Sequence, residues 1–447
     1  MADTTQTQGA GTNSAAAGDG IMKAGDVIID FASIITVKGN EVNISAQILT
    51  IDLHENLFQP FMYGSIIISE SYDFVNTLPL IGQEKLRLRV RTPSLPKEQW
   101  ITNTFFINNV SKRDPTANTT VMYELEIISS EMIMDKNIKL SMGFEGKISD
   151  IAKKIIKDVG LRTEKKITVE DTPFSTKYVS NFWSPLKNLI YICETSANSN
   201  NSPTYIFFEN RNGFNFVSLD YLYSQTPSAF FEKTNKVQGY DKNLNMPVKD
   251  LDNEYSKIID YTIHDGFDYM ARAKKGMYSS NLITVDPVSK QISFLIRTLN
   301  QDWDKRNHLN TYSPLGDNSL HIDTQAITYM TKSYASMNNY VDVTNASVVL
   351  ERNAMMGMAE ANILYIKVMG RTDYTCGLRV YVQLPASKPV AADDQNVVDV
   401  LNSGFYLISN VRHIIHSRKH IVELKLIKDS MIENVNTINE QKKETPK

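Results

Sequence analysis

From residue 26 to about 130 the chain carries a β pattern, with apolar-rich stretches separated by turn residues. Stretches 27–35, 44–53, 61–68, 85–91, 105–110 and 121–127 each set β-branched or aromatic side chains on one face, the pattern of half-buried strands. In the last of them Tyr123, Leu125 and Ile127 face one way, and Met122, Glu124 and Glu126 the other. Turn chemistry separates the stretches at Gly39-Asn40, Gln59-Pro60, Leu78-Pro79 with Gly82, and Asp114-Pro115. Strands so closely spaced predict an antiparallel barrel or sandwich.

The period changes next. Ile151, Ile155, Ile156 and Val159 fall on one helical stripe, with Ser149 as N-cap, Asp150 in the first turn and Gly160 as a left-handed stop. A helix over 149–159 is therefore expected directly after the β region. A short β stretch at 166–169 follows. Ser184-Pro185 then announces a second helix, its buried stripe made of Leu186, Leu189, Ile190 and Cys193. Stretches 205–208 and 214–219 flank Asn212-Gly213, a hairpin signal. Strands return at 258–263 and 266–269 and break at Ala273-Lys274-Lys275-Gly276. Residues 286–349 are mixed and polar, with Trp303, 307–310 and 313–317 in loops, and read as an insertion. A helix at 349–364, with Met355, Met356 and Met358 as packing, leads to strands 364–368, 378–384, 406–415 and 421–427. The order β, α/β, β suggests duplication, but only as similar strand content and without residue-level identity between the two β regions.

Composition narrows the classes. A chain of 447 residues with 42% hydrophobic content holds several domains with real cores. Its net charge of −3 excludes a generally basic nucleic-acid binder. Cys193 and Cys376 make no disulfide framework. No apolar run reaches membrane-spanning length and the start lacks a signal-peptide pattern, so synthesis in the cytoplasm is expected. Residues 1–25, rich in Ala, Gly, Ser and Thr, read as a disordered arm, and 431–447 as a flexible tail.

Candidate chemistry is sparse. Gly143, Gly146 and Lys147 lack the spacing of a phosphate loop, and Ile148 stands where its hydroxyl residue belongs. The glycines instead let the chain turn into its helix. His413 and His416 lie on a strand, on opposite faces, with 417–419 as a turn, so they do not chelate one ion. Neither HExxH nor GxSxG occurs. No catalytic, cofactor or metal residue is assigned. The one concentrated feature is Lys85–Arg91, with Lys85, Arg87, Arg89 and Arg91 on one face and Leu86, Leu88 and Val90 on the other. Such a face suits nucleic acid, an acidic protein partner, or cross-strand pairing with Glu124 and Glu126.

The order of parts carries a resemblance. A β region closing on IISSEMIMDKNIKLS enters FEGKISDIAKKIIKDVGL, and NFWSPLKNLIYICETSA and YIFFENRNGFNFVSLDYL follow. A last β region holds Gly377-Leu378 and ends SGFYLISNVRHIIHSRKHIVELKLIKDS. Over residues 26–430 this resembles the central baseplate hub proteins of contractile-tail phages, and more distantly the hub half of type VI secretion spike proteins. The resemblance implies a mainly β protein with α+β parts. Its two tail-tube-like antiparallel β-barrel domains would be 26–135 and a split 251–285 with 350–430. An α/β connector domain at 136–250 and an inserted domain at 286–349 complete it.

It further implies a non-enzymatic homotrimer, a pseudo-sixfold ring that adapts a hexameric tail tube to a trimeric spike and lets DNA pass. Its partners would be itself, the tube protein, the spike protein, and tape-measure and other baseplate proteins, with no membrane insertion and no specific DNA binding. Its place would be the virion tail baseplate. Alternatives are the hub of a headless contractile injection system and a cell-wall hydrolase tail protein. A ring that passes DNA must not grip it. Lys85, Arg87, Arg89 and Arg91 are therefore expected at a protein contact, neutralised by Glu124 and Glu126 or by a neighbouring subunit.

Overall fold

The computed structural model describes residues 23–433 except 72–79, 94, 118–119, 234–239, 242–245, 248–250, 265–268, 275, 287–288, 300–302, 315–326, 332–343 and 387–397. Most of the expected N-terminal arm and C-terminal tail, and parts of the expected insertion, lie outside the described residues.

The first alternating stretches become β1 (Ile28–Ile35), β2 (Glu41–Asn43), β3 (Ile48–Asn56), β4 (Tyr63–Glu70), β5 (Lys85–Arg91), β6 (Ile101–Ala117) and β7 (Thr120–Ser129). Their apolar faces meet in one cluster that includes Ile51, Leu53, Leu86, Leu88, Val90, Phe105, Tyr123 and Leu125. The strand expected from residue 44 starts later. Asn43 Oδ1 accepts the Ser45 N–H at 2.8 Å and Ser45 Oγ accepts that of Ala32 at 2.7 Å, so side chains make the turn there. Asp114-Pro115, expected as a turn, lies inside β6. The β6–β7 ladder shifts register between Ser111 and Asp114 and again between Pro115 and Ala117. Bulges of this kind accommodate a proline that has no N–H to give.

The passage after β7 differs from the expected direct entry into a helix. A helix Ser130–Asn137 comes first, then β8 (Gly143–Lys147), then the helix Ile148–Lys154, which ends in a π turn at Ile155–Val159. Gly143 and Gly146 thus belong to a strand, paired with β10 (Ser175–Val179), rather than to a turn. β9 (Ile167–Val169) precedes β10 in the chain. Ser149 sits within the helix, and its hydroxyl bonds Asp171 at 3.0 Å instead of capping. Gly160, at φ −110°, is not left-handed. It is needed for space, because a Cβ there would stand 2.4 Å from the Ile155 carbonyl oxygen.

The helix Pro185–Thr195 starts as expected, Ser184 Oγ accepting the Lys187 N–H at 3.2 Å. Leu189, Ile192 and Cys193 are buried, whereas Ile190 is 47% exposed and leaves the expected stripe. β11 (Tyr205–Asn210) and β12 (Gly213–Ser218) form the expected hairpin, with β9 parallel to β12. β13 (Ala229–Glu232), β14 (Tyr240–Asp241), β15 (Met246–Pro247) and β16 (Ile258–His264) follow. A helix Tyr269–Lys274 replaces the expected strand end at 269 and break at Ala273-Lys274. β17 (Ser279–Val285), β18 (Ile292–Thr298) and β19 (Ile327–Thr331) make a separate sheet, with β18 and β19 inside the expected insertion and clear of the positions expected as loops. The later helix is Thr344–Ala359, earlier than the expected 349–364 because Ala361 and Asn362 already lead into a strand. β20 (Asn362–Met369), β21 (Arg379–Gln383), β22 (Gly404–His416) and β23 (Lys419–Lys428) complete the chain.

The protein is mainly β, with antiparallel pairing dominant. Thirteen strands form one sheet along the path β16-β20-β23-β22-β3-β4-β7-β6-β5-β1-β2, with β21 branching from β22 and β13 pairing with it. Among the described residues no pairing closes this path on itself. The order β3-β4-β7-β6-β5 recurs as β16-β20-β23-β22-β21. The registers match as well. His54 opposes Tyr63 and Tyr63 opposes Ile128, while His264 opposes Ile363 and Ile363 opposes Ile427. The irregularity at Ile48/Thr50 recurs at Ile258/Asp260, and that at Ile107/Asn109 at Ile408/Asn410.

These registers make His54 equivalent to His264, Glu124 to Glu423, Leu125 to Leu424, Asn109 to Asn410 and Val110 to Val411. Residue-level likeness between the two β regions therefore exists, contrary to the sequence reading. It escapes a linear comparison because β17–β19 stand between β16 and β20, whereas a short turn joins β3 to β4.

Candidate functional site: the basic strand and the seam

The basic strand lies between β1 and β6. Its apolar side chains Leu86, Leu88 and Val90 are fully buried, which fixes the four cations on the outer face. Cross-strand neighbours supply the partners. Arg91 Nε donates to Asp30 at 2.8 Å and Arg87 to Glu41 at 3.2 Å. Arg89 lies 4.7 Å from the Phe31 ring centre and 5.9 Å from that of Trp100. Lys85 lies 5.8 Å from Phe106. Glu124 and Glu126 are not among these partners, because β6 stands between β5 and β7. Glu124 instead bonds Lys112 at 2.5 Å, and that ammonium holds its carboxyl below the usual value. The acids of β1 and β2 thus do what the acids of β7 were expected to do.

The outer face of β5 borders an open groove of about 930 Å³, walled across by Arg162, Glu164 and Lys165. Lys165 is tied down by Glu131 at 2.7 Å and Glu209 at 2.6 Å. Burial works against its charge, but the two carboxylates raise its affinity for the proton.

The second feature is the seam where β22 meets β3, in antiparallel register from Asn410 opposite Asn56 to His416 opposite Thr50. Arg412 bridges it, donating to Asp52 at 2.6 Å and to Glu423 at 3.2 Å. His54 lies 3.0 Å from Asp52 and stacks on Tyr63. Partial burial opposes the Asp52 charge, yet hydrogen bonds from His54 and Arg412 bring its pKa from 3.8 to about 2.

Beneath the seam Glu55 is fully buried. It accepts from Thr375 Oγ1 at 2.5 Å and from the N–H groups of Cys376 and Arg211, each at 3.0 Å. Burial raises its pKa while these donors lower it, with a net rise. One carboxyl therefore ties β3 to the β11–β12 hairpin and to the segment before β21. Sequence reasoning missed it, although Ile51, Leu53 and Glu55 share one phase of β3, which places the acid on the buried face. Glu209 carries the same signal after Tyr205 and Phe207.

His413 and His416 point apart as expected, His413 buried and His416 exposed. The turn is shorter than expected, with Ser417 and Arg418 at positive φ and Lys419 already in β23. His413 Nδ1 lies 2.9 Å from Nε2 of His420, also buried, and burial lowers the His413 pKa to about 3. Among the described residues no group of three or more His, Cys, Asp or Glu side chains is placed to hold a metal ion. Among them also, no helix is long and apolar enough to cross a membrane.

No protein-family model and no curated protein matches the chain. Solved structures do. A tail protein from Neisseria meningitidis MC58 aligns at a TM-score of 0.53 and 12% identity, covering 89% of this chain and 96% of its own. The 43 kDa tail protein of prophage MuSo2 from Shewanella oneidensis aligns at 0.53 and 7%, covering 90% and 99%. An E. coli component of the type VI secretion system aligns at 0.41 and 9%, covering 90% of this chain and 76% of that one. The chain shares its fold with these two tail proteins along nearly their whole length.

Proposed function

We propose that this chain is the central hub of a tail baseplate, a non-enzymatic structural protein that assembles as a homotrimer. Each copy contributes two tube-like β-barrel units, one built on β1–β7 and one on β16 with β20–β23. Three copies then present six similar units, a surface for a sixfold tail tube on one side and a true threefold for a spike on the other. The strands at 143–218, with their helices, form the connector unit, and β17–β19 the inserted one.

The observation that carries this reading is the recurrence of one pairing order, register and bulge pattern in two halves of one sheet. A duplicated unit is what a threefold assembly needs to match a sixfold neighbour. The basic strand supports DNA passing without capture, since Arg87 and Arg91 already face Glu41 and Asp30. Multi-angle light scattering at tens of micromolar tests the proposal. The expected mass is three times the 50.6 kDa of one chain, alone or with a tube or spike partner added. A strictly monomeric species under both conditions contradicts it.

A further inference from the structure

The groove beside β5 carries more positive charge than its own acids can answer. It holds Lys85, Arg87, Arg89, Arg162 and Lys165 against only Glu131 and Glu164. Lys165 is already committed to Glu131 and Glu209. Arg87 shares an exposed pair with Glu41, weak in water and open to exchange. Among the described residues Lys85, Arg89 and Arg162 have no carboxylate partner. Arg89 Nε is buried without a hydrogen bond, so rings rather than acceptors hold that guanidinium in place. Across the groove Arg162 is exposed at φ +51°. Glycine holds that conformation more easily than arginine, and the charge stands there against the preference.

Spacing gives the missing partner its form. Alternate residues of β5 lie about 6.8 Å apart along the strand, and Lys85, Arg87 and Arg89 occupy three such positions. An extended polypeptide laid along β5, acidic at every second residue, repeats that interval and meets each cation in turn. Thr102 and Thr104, paired opposite Arg89 and Arg87, add hydroxyl donors to the floor. Met134, 43% exposed in the same groove, offers an apolar contact to the side chains between the acids.

A single nucleic-acid strand is also a row of negative charges, but such strands are held by open aromatic faces on which bases stack. Here the rings are taken. Arg89 lies over Phe31 and Lys85 over Phe106, each pair directly opposed across strands. We propose that this groove docks an extended acidic segment of another protein. Its carboxylates, at alternate residues, face Lys85, Arg87 and Arg89 from above β5 and Arg162 from the opposite wall. The site is built within one chain and does not depend on the trimeric reading.

Fluorescence anisotropy on the full chain tests this, with a short labelled peptide alternating glutamate and serine as the probe. The same peptide with glutamine for glutamate, and an oligothymidylate of equal charge, serve as controls. The acidic peptide is expected to bind, more weakly as salt rises, and the glutamine peptide to show no binding. Arg162→Asn, which keeps a residue tolerant of positive φ, is expected to weaken binding about threefold, and the less exposed Arg89→Gln about tenfold. An unchanged melting temperature for Arg162→Asn shows that its lost affinity is not lost folding. Absence of salt-sensitive binding, or binding untouched by both variants, overturns the proposal. Tighter binding of the oligothymidylate overturns it in favour of nucleic acid. A change in the oligomeric mass of the chain on Arg162→Asn overturns it in favour of a contact between copies.

Discussion

Asp52 and Arg412 lock two distant parts of the chain through one carboxylate. The folded carboxyl sits at about 2 against an ordinary 3.8, so the unfolded chain takes up the proton first. A depressed carboxyl stabilises the fold fully above the unfolded value and loses that contribution as pH falls through the folded one. Arg412→Gln should cost about 1–2 kcal/mol at pH 7 once solvent screening is allowed for. The gap in urea midpoint between parent and variant should shrink by about half at pH 3. A gap equal at both pH values would show that Arg412 acts through packing alone. Asp52 and Arg412 were not singled out in the sequence, because pairing between positions so far apart leaves no local trace. Glu55 was more legible, since its phase in β3 gives it away.

Strands were the readable elements. β5 matches its expected bounds, and alternation located most of the others to within a few residues. The errors fall where side chains or bulges replaced backbone turns, as at Ser45 and Asp114-Pro115, and where glycines served space instead of turning. Gly160 is the clearest such case. A Cβ there would meet the Ile155 carbonyl at 2.4 Å and Pro185 Cβ at 2.9 Å, whereas at Gly143 it would meet nothing within 4 Å. Gly160→Ala should therefore lower stability by about 1–3 kcal/mol through overpacking. Gly143→Ala should stay within about 0.5 kcal/mol of the parent. Equal melting temperatures for the two variants would refute the steric argument.

At the scale of the molecule, the sequence carried the class of fold and showed the duplication only as similar strand content. The equivalences of His54 with His264 and Glu124 with Glu423 become visible only through strand pairing, since insertions change the spacing between equivalent strands. That duplication is the basis of the hub reading. On that reading three copies supply six similar units. Electron microscopy of the assembled particle, viewed down its axis, tests this most directly. The account predicts a closed ring of six similar lobes around an open channel, with strict threefold symmetry because alternate lobes differ. A ring of three unmodulated lobes, or particles with no threefold axis, would contradict it.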